Sequence, residues 1–279
     1  MSGALVLATA LVAATPVDAE GSNERLVTLG ASVTEIVHAL GESGRIVGID
    51  STSRTVELGR EVDEVGFFRR VSAPGVLSLK PTRVIAIEDA GPPPVFDALR
   101  TAGIAVTRVP NAVTVDQATD RIEIIAKTLG RAEAGQRLVD EMKAELAQVK
   151  RPESAPKVLF VYARGGGAVL VSGTKTSASA MIGLAGGEPA VTAFEGFKPL
   201  TPEAVIAAAP DVLLLTDGGF ASLGGEAGLR EHAVLGQTPA VKSGRVITMD
   251  DLRLLGFGPD LGEVARELAA AFAAASEES

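Results

Sequence analysis

Residues 64–72, EVGFFRRVS, set two phenylalanines directly against two arginines. The chain has nine phenylalanines, one tyrosine and no tryptophan, so an adjacent pair is a large share of its aromatic surface. A half-buried strand would alternate apolar and polar side chains, and a solvated loop would avoid two phenyl rings. Phenyl faces rimmed by guanidinium groups suit a flat, apolar, acidic molecule: the rings stack on its plane and the arginines take its carboxylates. Phe67, Phe68, Arg69 and Arg70 are therefore candidate ligand-binding residues. Arg164, Lys175, Lys198 and Arg253 also fall in predicted loops near strand ends, the edge at which open α/β sheets bind ligands. In a chain of formal charge −9, cations gathered at that edge point to an anionic small molecule. Tyr162, the only phenol, ends the apolar run KVLFVYA (157–163) and is a further candidate.

Residue types that carry catalysis are sparse. The chain has no cysteine, which excludes disulfides, thiolate metal sites and cysteine nucleophiles. Of its two histidines, His38 lies in an amphipathic helical stretch and His232 near a helix end. Neither G-x-S-x-G nor a phosphate-binding G-x-x-x-x-G-K occurs. ARGGGAVLVSG (163–173) fails the dinucleotide spacing, because Leu170 stands where G-x-G-x-x-G needs its third glycine. With no nucleophile paired to a base, the reading is a binding protein rather than an enzyme, with no intrinsic cofactor. The acidic charge argues against a nucleic-acid partner, and a monomer is expected.

The amino terminus reads as an export signal. ALVLATALVAA (4–14) is too short to span a bilayer in a mature protein. TPVDA follows, with Val17 and Ala19 at the small-residue positions of a cleavage site. Residues 1–19 are expected to be a signal peptide, which places the mature protein in the periplasm.

The elements that must position the candidates alternate. LVTLG (26–30), RIVGID (45–50), RVIAI (83–87) and IAVTRVP (104–110) read as strands. ASVTEIVHALG and PPPVFDALRTAG (92–103) read as helices between them. This alternation predicts a parallel α/β sheet. TVDQATDRIEIIAKTLG and AEAGQRLVDEMKAELAQVK (132–150) are two successive helices. The alternation then resumes with strands at 157–163, 211–216 and 245–249, and helices at 177–187, 202–209 and 259–275. The expected architecture is two Rossmann-like α/β lobes, 24–130 and 153–279, joined by a linker helix over 131–152, with a ligand cleft between them. Lys80–Ile87 and Ala209–Thr216 share a pattern of proline, two residues and a buried strand, which hints that the lobes are related.

Five segments together resemble the periplasmic haemin-binding proteins of ABC importers, within the wider group that carries vitamin B12 and iron–siderophores. They are LVTLGASVTEIVHALGESGRIVGIDSTS, VGFFRRVSAPGVLSLKPTRVIA, GPPPVFDALRTAGI, GGEPAV with FEGFKPLTPEAVIAAAPDVLLL, and RVITMDDLRLLGFGP. DSTS, VSAPGVLSLKP and LLGFGP favour the haemin branch. The resemblance implies two lobes bridged by a long helix, with haem or a related tetrapyrrole or iron chelate as transported ligand. It also implies a permease and its ATPase at the inner membrane as partners. In such relatives the loop reads glycine, tyrosine, any residue, arginine; the tyrosine ligates ferric iron and the arginine pairs with a propionate. Here the arginine is Arg69, but the tyrosine position is Phe67, and a phenyl ring has no lone pair to offer iron. Arg253 stands where some relatives carry another tyrosine.

Three arrangements stay open. Haem could stack on Phe67 and Phe68 with its propionates on Arg69. Tyr162, or a methionine such as Met249, could supply an axial ligand. The ligand could instead be a metal-free tetrapyrrole or a siderophore. An exported sensor or scavenger using the same cleft is the alternative to a transport role. The resemblance also implies one acidic permease-docking residue on each lobe. Glu203 matches in the second; in the first, Asp97, or Glu88 and Asp89, is the nearest acid.

Overall fold

The computed structural model describes residues 24–165 and 168–277; the expected signal peptide lies outside them. The first sheet contains β1 (Leu26–Leu29), β2 (Ile46–Ile49), β3 (Asp63–Glu64), β4 (Arg83–Ile87) and β5 (Ala105–Val109). They pair in the order β3-β2-β1-β4-β5, all parallel. Around it lie α1 (Ala31–Ala39), α2 (Ala73–Ser78) and α3 (Pro93–Thr101), followed by α4 (Val115–Thr128) and α5 (Ala132–Leu146).

The second sheet is built from β6 (Lys157–Tyr162), β7 (Leu170–Ser172), β8 (Glu188–Pro189), β9 (Phe197–Pro199), β10 (Val212–Thr216) and β11 (Val246–Met249). Its order is β11-β10-β6-β7-β9, with β8 also beside β6. It differs from the parallel sheet expected: β7 runs antiparallel to β6, and β9 antiparallel to β7. Only residues 163–169 separate β6 from β7, too few for the crossover a parallel neighbour requires. The glycine-rich segment therefore joins strand to strand, whereas a dinucleotide site needs strand to helix. The helices here are α6 (Ser177–Leu184), α7 (Pro202–Ala208), α8 (Asp217–Ser222), α9 (Gly225–Glu231), α10 (Pro239–Lys242), α11 (Asp251–Gly256) and α12 (Leu261–Glu277).

The central strands β1 and β10 are buried at every position. Their apolar runs, broken only by Thr28 and ended by Thr216, suit strands covered on both faces. One hydrophobic cluster spans both lobes, from Ile36, Ile85 and Ile122 through Met142 to Phe160 and Phe257. Two further clusters fill the other face of each sheet.

Helix α5 joins the lobes, ending at Leu146 rather than near 150, with residues 147–156 continuing as turn and coil. Pro152 disfavours helix in the residue before it. The helix is packed on two sides at backbone distance. A Cβ on Gly135 would lie 2.3 Å from Ala126 Cβ of α4, and one on Gly262 of α12 would lie 2.5 Å from Glu145 Cβ. At its start, Arg131 donates to the buried carboxylate of Glu42, which also accepts from Arg45 at 2.9 Å. Burial alone would raise the Glu42 carboxyl; these two arginines hold it below the usual carboxylate range.

The sequence echo between the lobes extends further back than the strands. Ser72 caps α2 by accepting from Gly75 N at 3.2 Å, and Thr201 caps α7 by accepting from Ala204 N at 3.2 Å. Lys80 and Ala209 both take the left-handed conformation, with φ of 49° and 41°, before Pro81 and Pro210 lead into β4 and β10. Helices α2 and α7 are thus counterparts.

Candidate functional site

In the first lobe the strap after β3 holds the FFRR stretch. Gly66 turns the chain at φ 88°, a conformation that favours glycine. Residues 68–70 then form a single 3₁₀ turn. The strap is tied to the loop after β4, where Gly91 N donates to Phe68 O and Val71 N donates to Gly91 O, both at 2.9 Å. The two phenyl rings part company here. Phe68, expected at the ligand surface, is only 9% exposed and packs in the lobe core with Val76, Phe96 and Leu99. Phe67 stands out at 36% exposed, its ring centroid 4.7 Å from that of Phe68. The buried ring thus acts as the seat of the exposed one.

The arginines divide likewise. Arg69 lies 4.9 Å over the Phe68 ring and donates to Asp89 at 2.5 Å. Burial opposes ionisation of Asp89, but hydrogen bonds from Arg69 and Asn111 hold its carboxyl below the usual range. An incoming carboxylate must share Arg69 with Asp89. Arg70 is exposed and has no ion pair among the described residues.

In the second lobe Tyr162 ends β6, half-buried, with its ring centroid 6.0 Å from that of Phe197 on β9. Phe197 is 41% exposed and also meets Phe160 edge-on at 6.3 Å. Antiparallel register puts Leu170 opposite Tyr162 and Ser172 opposite Phe197, all on one face of the sheet. That face is the one covered, farther along, by the cluster shared between lobes. Lys198 alternates to the other face, its Nζ 4.7 Å over the Phe194 ring. Arg164, after β6, is exposed and without an ion pair among the described residues.

Other candidates are engaged elsewhere. Arg253 on α11 is held by Asp260 at 3.5 Å, Glu263 at 3.2 Å and Glu267 at 2.8 Å. Lys175 pairs with Glu195 at 2.5 Å. Met249 is buried in the shared core, which leaves its thioether no path to a ligand. His38 bonds Ser43 at 2.7 Å, and His232 Nδ1 accepts from Val234 N and Leu235 N, both at 3.2 Å. Both imidazoles are satisfied locally, and no group of three or more His, Asp or Glu placed to hold a metal occurs among the described residues.

Phe197 is the residue the sequence reading passed over. Phe197-Lys198 repeats the phenyl–cation juxtaposition of Phe68-Arg69, and that signal was available. The acids expected to dock differ in setting. Glu203 is exposed in the first turn of α7 and carries no ion pair among the described residues. Asp97 sits on α3 and pairs with Arg100 at 3.0 Å. The counterpart of α7 is α2, where Pro74 occupies the place of Glu203.

A family model described as "Periplasmic binding protein" matches residues 26–252. The chain belongs to the periplasmic binding protein family. This periplasmic binding protein is similar to the solved periplasmic heme-binding protein RhuT from Roseiflexus sp. RS-1 in apo form, at 40% identity and a TM-score of 0.87; the match covers 91% of this chain and 99% of that one. It is similar to the periplasmic heme-binding protein BhuT in complex with two hemes, at 36% identity and TM-score 0.84, covering 90% and 98%. Among curated sequences, an uncharacterized ABC transporter substrate-binding lipoprotein, YvrC of Bacillus subtilis (strain 168), is 27% identical over 253 residues, covering 88% of this chain and 79% of that protein. No helix among the described residues is long and apolar enough to cross a membrane.

Proposed function

We propose that this chain is the substrate-binding component of an ABC importer: it binds haemin or a closely related tetrapyrrole in the periplasm, without catalysis, and delivers it to a permease. The observation that carries this reading is one exposed phenyl ring on each lobe, Phe67 and Phe197, each beside strand-end loops bearing a guanidinium without an ion pair among the described residues, Arg70 and Arg164. Such a pair of surfaces can stack on both faces of a flat ring while the arginines meet its carboxylates. Similarity to heme-binding proteins along almost the whole chain supports the same ligand. Residue 67 offers no oxygen to iron, so ring stacking and charge supply the affinity, and Tyr162 is the phenol nearest this surface. A second reading, an anionic iron chelate such as a siderophore, is favoured by that same missing phenolate.

Spectral titration with haemin tests the proposal. Saturable binding with a shifted Soret band is expected, and a titration with neither sinks the haem reading. Phe67→Tyr is expected to tighten binding by about tenfold or more, on the order of 1.4 kcal/mol, and to add a phenolate-to-iron charge-transfer band. If Tyr162→Phe changes the ferric spectrum, Tyr162 is the axial ligand.

Glu203 is proposed to meet a cation of the permease. Glu203→Ala is expected to leave haemin binding unchanged while reducing stimulation of the transporter's ATPase several-fold in proteoliposomes, in keeping with about 1 kcal/mol for a rim charge pair. Unchanged stimulation removes Glu203 from the contact.

A further inference from the structure

Where α1 meets α11 and the 257–260 segment, the lobes form a seam that buries a carboxyl group. Glu35, on α1 of the first lobe, has Oε2 shut off from solvent and without a hydrogen-bond partner. The backbone of the second lobe presses against it: a Cβ on Gly258 would lie 2.1 Å from that oxygen. Any larger residue at 258 would have to push the Glu35 carboxyl aside. Beside the contact runs a groove of about 350 Å³ lined by Glu35, His38 and Glu57 of the first lobe and by Asp250, Arg253 and Asp260 of the second.

Every charge facing Glu35 can be named. From the 257–260 segment comes Asp260, and from the start of α11 come Asp250 and Arg253. Arg253 is largely spent, on Asp260 and on Glu263 and Glu267 of α12. From α4 comes Arg121, whose guanidinium donates to the carbonyls of Gly256 and Phe257. From α1 itself and the 51–57 segment come His38 and Glu57, at the groove. Asp50, just before that segment, and Arg54 within it are taken up by Gly30 N and Glu64, and Arg83 of β4 by Glu24. The carboxylates are close, Arg253 is drawn to α12, and Arg121 shares its pull on Glu35 with two backbone carbonyls while its buried Nε keeps no hydrogen-bond partner, so the protonated form of Glu35 suits the closed seam.

We propose that Glu35 is a proton-operated latch between the lobes: protonated, it lets α1 lie flush against residues 256–260, and ionised, it loosens that seam. Burial first, then Asp260 and Asp250, push its carboxyl from an ordinary 4.5 to about 8, against the pull of Arg121 and Arg253. The sign follows. The closed seam binds a proton that the opened, hydrated seam releases. Closure is therefore fully stabilised below about pH 4.5 and loses stability as pH rises to about 8.

The test is hydrogen exchange by mass spectrometry on the full chain, corrected for intrinsic rates, and it needs no ligand. Protection in peptides covering 31–39 and 251–262 is expected to fall by up to roughly tenfold per pH unit between pH 5.5 and 8, then level off. Peptides covering β10 are expected to stay flat. In Glu35→Gln the seam peptides are expected to keep high protection throughout. A wild-type seam that does not respond to pH, or a Glu35→Gln variant with the same fall, overturns the proposal. Should Glu35→Gln fail to fold, Asp260→Asn serves: removing that neighbouring charge must move the levelling point to lower pH, and an unmoved point overturns the latch.

Discussion

Replacing Phe67 and Phe197 together with alanine is expected to weaken haemin binding about a hundredfold. Full burial of a phenyl side chain contributes about 1.5–3 kcal/mol. Both rings are already more than half covered in the free protein, at 36% and 41% exposed. Burying what remains should yield about 0.5–1.2 kcal/mol per ring, and ring stacking adds about 0.5–1 kcal/mol, together on the order of 1.4 kcal/mol, a factor of about ten. The rings stand on different lobes and do not contact each other, so their effects should add. Metal-free protoporphyrin should lose affinity by the same factor, because stacking does not need iron. Soret titrations of the single and double variants check this. If all three variants bind as the wild type does, the rings do not face the ligand; if only the haemin affinity falls, iron coordination rather than stacking has been disturbed.

Gly262→Leu is expected to destabilise the protein by about 3 kcal/mol, lowering the melting temperature by about 10 °C. The new side chain would enter space already held by Glu145 Cβ and the Met142 carbonyl, 2.5 and 2.6 Å from its Cβ. Neither can move without shifting α5, and α5 is held on its other side where Gly135 meets Ala126. Gly183→Ala is the control: nothing lies within 4 Å of its Cβ, within α6, so a small gain is expected. Thermal melts by circular dichroism compare the two. Equal melting temperatures would mean that α12 and α5 separate freely, and that the join between lobes is looser than its packing implies.

The long elements were legible because their patterns are long. β1, β4, β6 and β10 are mostly apolar runs, and α1, α4, α5 and α12 carry helical spacing over nine residues or more. The mixed second sheet was not, because β7 and β9 are three residues each, too short to show a period. The site divides along similar lines. FFRR names itself by composition, but which ring points outward depends on the strap's hydrogen bonds to Gly91, contacts between residues twenty or more apart. Lys198 and Arg253 look like free cations in sequence. Strand alternation turns the first onto Phe194, and α12 brings three carboxylates to the second. Glu35 gave no sign at all, since its surroundings come from α4 and the 250–260 segment.

The helix-to-strand unit at 72–87 is repeated at 201–216 with the same cap and the same left-handed turn, yet the two helix starts are chemically unlike. A symmetric transporter approaching both helix starts would find a carboxylate at Glu203 and a proline ring at Pro74. If Glu203 meets a permease cation as proposed, these two helix starts would contribute unequally, and the two ways of seating the protein, related by a half-turn, would differ in energy.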